Sequence, residues 1–487
     1  MLSKKGRSVD YRINDAIDSS VYEKGFQYYH ILDNDNYDTQ SRINCVAFHD
    51  SPEKFLIRLM ERTKVVGVSA SAKLPTVLAN YDLDYIRKVR GELVYVLSEQ
   101  NELRLRKEFE KSIVHHKNTQ IHCMPVGFED NLSMAAKEIY QRIKPLLNFK
   151  DYQQERFLCF AEVVDSFFRE KAIKSLLYFA NAKGYEYDID GQNYLKNYFD
   201  SIKDAYSSYA EIYFLNGNTD VFERRKEKAL QSLKDGNKVL IVTTYGSMGA
   251  GQNIHYAFDS KIEDNLVRTN ELSHNSMHKD FDAIYLEKPS HVIVNTVNGF
   301  GCEEEFIEYI FQIKFLQEVG DLKVGDAEER IRDAFKILGG SGGRRKSHPK
   351  ESSHFNMAYA KIALQAIGRI CRTGTKRSKI HIFYQESFAE RIKPISSYFR
   401  DKSLNPEFRQ FLNACDNYKS GVPILETEEI LKNKASSVMV QSQQLFNNIL
   451  DNWTLNNIAK WEEIREAVLK QPIANNLQDV KFPQLYI

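Results

Sequence analysis

The chain has 487 residues, of which 42% are hydrophobic and 27% charged, close to the averages of globular proteins. This composition excludes wholesale disorder and a fibrous architecture, and the length favours about two or three domains. Lys and Arg (67) balance Asp and Glu (66), giving a formal net charge of +1. Binding to nucleic acid would therefore depend on local basic patches, because the whole molecule has no basic field.

Neither export nor metal binding is predicted. Residues 1–15 contain basic side chains, but no apolar segment follows them as a secretory signal requires. No run approaches the ~18 apolar residues of a membrane span. No C-x-x-C pair occurs among the six cysteines, so we expect reduced, packed thiols in a cytoplasmic protein. The cysteines are Cys45, Cys123, Cys159, Cys302, Cys371 and Cys415.

The first predicted elements are strands. Two short β-branched runs, residues 64–68 (KVVGV) and 93–97 (LVYVL), are bounded by polar residues and are typical of buried strands. A helix is expected over 131–147, with Asn131 or Ser133 as its N-cap. These elements favour an α/β sheet, with residues 1–125 forming a partial first domain.

A helical connector is predicted over residues 126–205. Apolar positions between Phe157 and Ala180 keep a spacing of three to four residues, which favours one long or two short helices over strands. The segment 176–181 (LLYFAN) resembles a strand in composition, but its apolar residues fall within this helical pattern.

A second domain is predicted over residues 206–390. Strand 210–217, helix 221–233 and strand 238–244 form a βαβ unit, which requires parallel strands and a right-handed crossover. Two more strands are expected at 282–288 and 379–384, the second preceded by a helix over 358–370.

An insertion at about 303–355 interrupts this predicted domain. Helices are expected near 304–318 and 327–338, followed by a basic, Gly- and Ser-rich loop at 339–353. The chain after residue 386 reads as largely helical to Lys470, so residues 391–487 are predicted to form a helical extension.

The segment with the clearest chemistry is QAIGRICRTG, which runs from Gln365 to Gly374. Arg369 and Arg372 are three residues apart and are therefore expected on one helical face, where both guanidinium groups can point at one anion. Arginine suits phosphate because its planar fork is always charged and binds bidentately. Gly368 is expected to let the backbone approach a ligand closely.

A second such segment, Thr243 to Ile254, follows the predicted strand 238–244. It is rich in Gly and Ser, and it lies at the carboxyl end of a parallel strand, where α/β sheets bind ligands. Backbone amides of a loop of this kind can face a phosphate.

The two segments resemble motifs VI (Q-x-x-G-R-x-x-R) and V (T-x-x-x-x-G-x-G-x-N-[IL]) of superfamily-two helicases, motif VI most closely in its chromatin-remodelling form. The resemblance implies a RecA-like, doubly wound parallel sheet and a role for Arg369 and Arg372 as arginine fingers, with Gln365 in the catalytic set. It implies nucleotide contacts from Gly249, Gly251, Asn253 and Gly368. It implies nucleic-acid contacts from Thr244, Tyr245 and Gly246.

A third resemblance is shorter. Ser69, Ala70 and Ser71 follow the predicted strand 64–68 and are similar to motif III, usually S/T-A-T, which couples hydrolysis to movement in the family. Ser71 replaces the usual threonine and keeps its hydroxyl. With this motif, the resemblance covers roughly residues 60–390.

Two family features are absent from the sequence. It contains neither G-x-x-x-x-G-K-[ST] nor an Asp-Glu pair, the groups that hold the phosphates and the metal. We therefore expect a truncated or split helicase acting on DNA or RNA, with ATP and Mg²⁺ held mainly by an upstream polypeptide. A stand-alone remnant without ATPase activity is the other explanation. In either case, this chain alone is expected to hydrolyse ATP poorly or not at all.

Other functions stay open. A non-catalytic RecA-like scaffold protein would keep the fold and use the helical extension to bind partners. A different Rossmann-like enzyme is disfavoured, because no G-x-G-x-x-G opens a helix after a strand. Basic residues near the segment that resembles motif VI and in the insertion fit phosphate contacts and solvated loops equally well. They are Arg372, Lys376, Arg377, Lys379, Arg344, Arg345 and Lys346.

Overall fold

The computed structural model describes most of the residues of the chain. They are 9–11, 21–33, 41–67, 71, 73–95, 97–147, 150–181, 188–189, 192–215, 219–248, 254–258, 265–269, 277–290, 292–296, 299–339, 352–418, 427–450, 454–473, 480–482 and 485.

The strands and helices are numbered in chain order. The strands are β1 (Val9–Tyr11), β2 (Phe26–Asp33), β3 (Ser41–Phe48), β4 (Gln120–Val126), β5 (Ser175–Ala180), β6 (Asp188–Ile189), β7 (Gln192–Asn193), β8 (Ala210–Leu215), β9 (Lys238–Thr244), β10 (Tyr256–Ala257), β11 (Leu266–Arg268), β12 (His278–Lys279), β13 (Ala283–Leu286), β14 (Thr375–Arg377) and β15 (Lys379–Gln385). The helices are α1 (Val21–Lys24), α2 (Pro52–Arg62), α3 (Leu83–Arg90), α4 (Glu99–Ser112), α5 (Met134–Ile143), α6 (Asp151–Arg169), α7 (Tyr194–Ala205), α8 (Thr219–Lys234), α9 (Glu303–Glu318), α10 (Val324–Leu338), α11 (Ser353–Ile367), α12 (Glu386–Ile392), α13 (Pro406–Asp416), α14 (Thr427–Leu450) and α15 (Leu455–Lys470).

The chain divides into two compact units. The first unit consists of Met1–Val96, Val292–Ala358 and Ile424–Ile487, and the second of Leu97–His291 and Tyr359–Pro423. This division differs from the predicted domains. The predicted first domain ended at residue 125, whereas residues 97–125 lie in the second unit, and the whole of the predicted insertion at about 303–355 lies in the first unit.

A six-stranded parallel sheet forms the centre of the second unit. Its strand order is β4-β15-β13-β5-β9-β8, and every neighbouring pair is parallel. The middle strands β5 and β13 are buried at every position, as is typical of parallel sheets covered on both faces. The second unit is therefore an α/β fold.

The predicted βαβ unit is confirmed. Strands β8 and β9 are parallel neighbours, with Ala210 opposite Lys238, and α8 connects them. The predicted helices of the insertion correspond to α9 and α10, and the carboxy-terminal part is helical as expected. The N-cap of α5 is Ser133, whose hydroxyl accepts a hydrogen bond from the N–H of Ala136.

The prediction of helix through residue 180 is wrong at its end. Helix α6 stops at Arg169, and the segment we assigned to a helix forms the central strand β5. The physical reason is that β5 is buried on both faces, so its apolar residues follow one another without the alternation that marks a half-buried strand. Strand β4, one of the two edge strands of the sheet, was not predicted.

The two predicted amino-terminal strands are also absent from the described residues. In 64–67 the chain is irregular, and Val66 is 84% exposed. Leu93 ends a 3-10 turn, and Tyr95 is 90% exposed. Val68 and Val96 lie outside the described residues. The sheet of the first unit is instead the antiparallel meander β1-β2-β3.

The core of the second unit lies between the sheet and helices α5, α6 and α7. Ring pairs contribute to it, with Tyr178 and Tyr285 from neighbouring strands stacked 4.1 Å apart between ring centroids. The buried residues of this cluster include Tyr140, Phe157, Phe160, Phe167, Tyr198 and Phe199. Burial of this aromatic surface stabilises the layer.

The cysteines form no disulfides in the structure. Cys159 and Cys415 are buried, which fits the packing role expected of all six. Cys45 and Cys302 are exposed, so the packing interpretation is wrong for these two. Within the described residues, no helix combines the length and the apolar character that a membrane crossing needs.

Candidate functional site

The topology of the parallel sheet has a switch point between β5 and β13. From β5 the chain proceeds through α7 to β8, towards one side of the sheet, whereas β13 leads to β15 on the other side. Strands β5 and β13 are direct neighbours. Open α/β sheets bind ligands where adjacent strands send their connections in opposite directions, so the ends of β5 and β13 define the candidate site.

Glu287, directly after β13, is the central residue of this edge and is 1% exposed. Its carboxylate accepts hydrogen bonds of 2.9 Å from the backbone N–H and from Nδ2 of Asn181, which follows β5. Arg156 of α6 forms an ion pair with it. Burial raises the pKa of Glu287, and the charge of Arg156 opposes this shift. The network joins the ends of the two central strands.

The segment that resembles motif V begins at this edge. Thr244 ends β9, and its Oγ1 accepts a hydrogen bond from the N–H of Ser247 at 3.1 Å, which shapes a tight turn. Tyr245 stacks on Phe179 with 5.2 Å between ring centroids, and its hydroxyl donates to the carbonyl oxygen of Glu287 at 2.6 Å. The Tyr245 hydroxyl therefore points into the protein.

Of the three glycines in this segment, the structure describes Gly246. Gly246 is exposed, and a Cβ at this position would meet nothing within 4 Å. Gly249, Gly251 and Asn253, the predicted nucleotide contacts, lie outside the described residues. The structure thus describes the start of the loop, with Thr244, Tyr245 and Gly246 at the carboxyl end of β9.

The segment that resembles motif VI ends a helix, but not as predicted. Helix α11 stops at Ile367, Arg369 lies in the 3-10 turn Gly368–Ile370, and Arg372 lies in the loop beyond. The expectation of one helical face is therefore wrong. Arg369 is 3% exposed, whereas Arg372 is exposed.

The two arginines nevertheless influence each other. Burial lowers the pKa of Arg369, and the positive charge of Arg372 lowers it further. Gln365 is half-buried in the last turn of α11. At Gly368, a Cβ would meet nothing within 4 Å, so the structure gives no reason for a close backbone approach there.

Asp280, which the sequence did not single out, anchors the loop of Arg372. Its carboxylate accepts hydrogen bonds of 3.0 to 3.1 Å from the backbone N–H groups of Arg372 and Thr373. Lys376 donates to the same carboxylate at 2.9 Å and to the carbonyl oxygen of Ile370 at 2.5 Å. These bonds tie both ends of the loop to the start of β13.

A buried chain of charges extends this anchor. Lys376 Nζ lies 2.9 Å from Glu407 Oε1 of α13, and Nε2 of His116 lies 2.9 Å from the same oxygen. Burial alone would raise the pKa of Glu407, but Lys376 and His116 hold it well below its usual range. In the same way, Asp280 and Glu407 outweigh burial and raise the pKa of Lys376.

This arrangement corrects the prediction for the basic residues after Arg372. Lys376 and Arg377 are each 4% exposed, so they fit neither a solvated loop nor a surface that contacts phosphate. Arg377 lies 3.5 Å from the buried carboxylate of Asp282. The insert residues Arg344, Arg345 and Lys346 lie outside the described residues.

The segment similar to motif III lies in the first unit. Ser69 and Ala70 are outside the described residues. Ser71 is 2% exposed, and its carbonyl oxygen accepts hydrogen bonds from the N–H of Leu74 at 3.2 Å and from Asn80 at 3.3 Å. Its coupling role stays a prediction. Among the described residues, no group of three or more His, Cys, Asp or Glu side chains is arranged to hold a metal ion.

Comparison with known proteins adds no family assignment. No protein-family model matches the sequence, and no curated protein is significantly similar to it. The structure alone defines the class of the chain, an α/β protein with a six-stranded parallel sheet.

Proposed function

We propose that the chain is the carboxy-terminal part of an ATP-dependent superfamily-two helicase or translocase that acts on DNA or RNA. In this proposal the second unit is a RecA-like domain. The observation that supports this proposal is the order in which the two motif-like segments follow elements of one parallel sheet. The loop that begins at Thr244 follows β9, and the segment with Arg369 and Arg372 lies between α11 and β15. The resemblance to motifs V and VI predicts this order.

The chemistry of the two arginines supports this function. The charge of Arg372 lowers the pKa of Arg369, and an anion beside both guanidinium groups would relieve this repulsion. The anchored backbone of Arg372 holds the base of its side chain in place. The arginines would stabilise the charge that develops on the γ-phosphate, while an upstream polypeptide holds ATP and Mg²⁺.

A second candidate is a non-catalytic RecA-like scaffold. Two observations favour it: Arg369 is almost fully buried, and the hydroxyl of Tyr245 is engaged inside the protein. In that case both motif-like segments stabilise the fold and bind no nucleotide. The two candidates differ in whether Arg372 affects a reaction.

Reconstitution tests the proposal. The chain is combined with a polypeptide that carries the phosphate-binding loop and the acidic pair, and nucleic-acid-stimulated phosphate release is measured. Arg372→Ala should reduce turnover about 10³-fold or more with ATP affinity nearly unchanged, because the side chain acts in the transition state. Arg372→Lys should rescue little, since lysine lacks the planar fork.

The matched control is Arg104→Ala, which removes an exposed arginine of α4 in the same unit and should leave turnover unchanged. Near wild-type turnover in both Arg369→Ala and Arg372→Ala would exclude the arginine-finger role. The chain by itself should release phosphate at background rate, and rapid turnover would reveal a nucleotide site that the proposal lacks.

A further inference from the structure

A pocket in the first unit is separate from the site described above. It has a volume of about 300 Å³, at the lower end of the range of small-molecule sites. Helices α2 and α9 and the segment 77–81 form its walls. The lining residues are Pro52, Glu53, Val77, Ala79, Asn80, Tyr81, Glu308, Phe311, Gln312 and Phe315.

Glu53 is the lining residue with unused hydrogen-bonding capacity. It is 0% exposed, and its Oε1 accepts a hydrogen bond from the backbone N–H of Asp82 at 3.1 Å. Its Oε2 is buried and has no hydrogen-bond partner among the residues that the structure describes. A buried carboxylate oxygen without a donor is costly, so a ligand that supplies a donor would be stabilised there.

The charges around the pocket favour a cation. Glu53 and Glu308 are the ionisable acids of the lining, and the charge of Asp82 acts on Glu53. Among the described lining residues there is no Lys, Arg or His. A lining whose ionisable side chains are acidic attracts a positive group and repels an anion.

The remaining walls fit an apolar body. Phe315 is 6% exposed and stacks on Tyr22 with 5.1 Å between ring centroids, and Phe311 packs 5.5 Å from Phe315. Rings held in this way are rigid surfaces for flat ligands, and their faces attract cations. Gln312 is already engaged with the N–H of Val294 and with Glu308.

The backbone of the rim is strained. Ala79 has a φ of 54°, in the left-handed region that alanine seldom occupies. Strained backbone of this kind is concentrated at ligand sites, where the surrounding structure holds it in place. This observation is independent of the charge on Glu53, and it falls in the same pocket.

We propose that this pocket binds a small organic cation, with an aromatic or aliphatic body packed against Phe311 and Phe315 and an ammonium or amidinium group that donates hydrogen bonds to Glu53. The proposal concerns the first unit and does not depend on the function proposed for the second.

Benzamidine and its neutral isostere benzamide test the proposal by titration calorimetry on the full chain. Wild-type protein should bind benzamidine about tenfold or more tightly than benzamide, because only the amidinium adds a charged hydrogen bond. Equal affinities, or no binding of benzamidine, would overturn the proposal. Tighter binding of a short arginine peptide than of benzamidine would overturn the small-molecule assignment in favour of a protein side chain.

Glu53→Gln locates the binding. It keeps the acceptor for Asp82 and should weaken benzamidine binding about tenfold or more, whereas Glu61→Gln, on the same helix in an exposed ion pair with Arg90, should not. Unchanged affinity in Glu53→Gln would contradict the assignment. If circular dichroism shows that Glu53→Gln does not fold, Glu308→Gln at the exposed rim takes its place. It should weaken binding about twofold or more, and no change would likewise overturn the proposal.

Discussion

The carboxylate of Asp280 accepts a hydrogen bond from the backbone N–H of Arg372 at 3.0 Å. Ninety-two residues separate the two along the chain, so this bond connects the start of β13 to the loop after α11. The position of the loop that contains Arg372 thus depends on a residue outside the segment from Gln365 to Gly374.

Asp280→Asn should lower the free energy of unfolding by about 3 kcal/mol, because it leaves the buried ammonium of Lys376 with one carboxylate in place of two. Urea unfolding followed by circular dichroism measures the change. The exposed Asp130→Asn, in a surface pair with Lys137, is the control and should shift the midpoint little. Equal stabilities of wild type and Asp280→Asn would show that the anchor contributes nothing.

The pH dependence of the free energy of unfolding should show the contribution of the Glu407 carboxylate. Its pKa in the folded protein lies below the ordinary value of 4.5, so its contribution is fully present above pH ~4.5 and is lost as the pH falls towards the folded pKa. Glu407→Gln should therefore cost about 3 kcal/mol at pH 7, and the difference from wild type should shrink below pH ~4.5.

Unfolding in urea at pH 7, 5, 4 and 3.5 tests this difference, and comparison with a variant cancels the effect of other carboxyl groups. Glu110→Gln on the exposed face of α4 provides the matched removal of a carboxylate. A wild-type minus Glu407→Gln difference that is constant with pH would contradict the expected charge coupling with Lys376 and His116.

Tyr245→Phe separates a structural role from a contact with nucleic acid. Loss of the hydroxyl leaves the carbonyl oxygen of Glu287 without this donor and should lower the free energy of unfolding by about 1 kcal/mol. Affinity for an oligonucleotide should stay nearly unchanged, since the hydroxyl points inward. Stability like that of wild type together with a marked loss of affinity would assign the hydroxyl to the nucleic acid instead.

Binding of nucleic acid by the isolated chain should be weak and sensitive to salt. The net charge of +1 leaves only local patches, and each phosphate contact releases counterions, with a slope of about −0.9 in log K against log salt. Fluorescence anisotropy with a labelled oligonucleotide across a salt series gives this slope. Affinity that is independent of salt would indicate base stacking instead of phosphate contacts.

Part of the fold could be predicted from local sequence patterns. The βαβ unit of β8, α8 and β9 was predicted because its helix is amphipathic and its strands are bounded by polar residues. Strand β5 was missed because burial on both faces removes the period of two, and residues 64–67 were misassigned because β-branched composition does not reveal whether a neighbouring strand exists.

The candidate site, too, could be predicted from the sequence only in part. The spacing of Arg369 and Arg372 predicted one helical face on a helix that reached residue 370, whereas α11 ends at Ile367, before both arginines. The anchor of Asp280, Lys376, Glu407 and His116 was not predicted at all. Its members are 96 and 291 residues apart along the chain, and no local pattern identifies such pairs.

The first unit is assembled from three separate stretches of chain, and this arrangement has a consequence during synthesis. Asn433 of α14 donates a hydrogen bond to the carbonyl oxygen of Gly320, and Val21 donates one to Glu318. The β1-β2-β3 meander therefore leaves the ribosome long before its helical partners exist. Phe26 of the meander packs on Phe311 of α9, and residues 97–291 of the second unit lie between them in the chain. The apolar residues of the meander therefore reach their final packing only after this stretch has been translated.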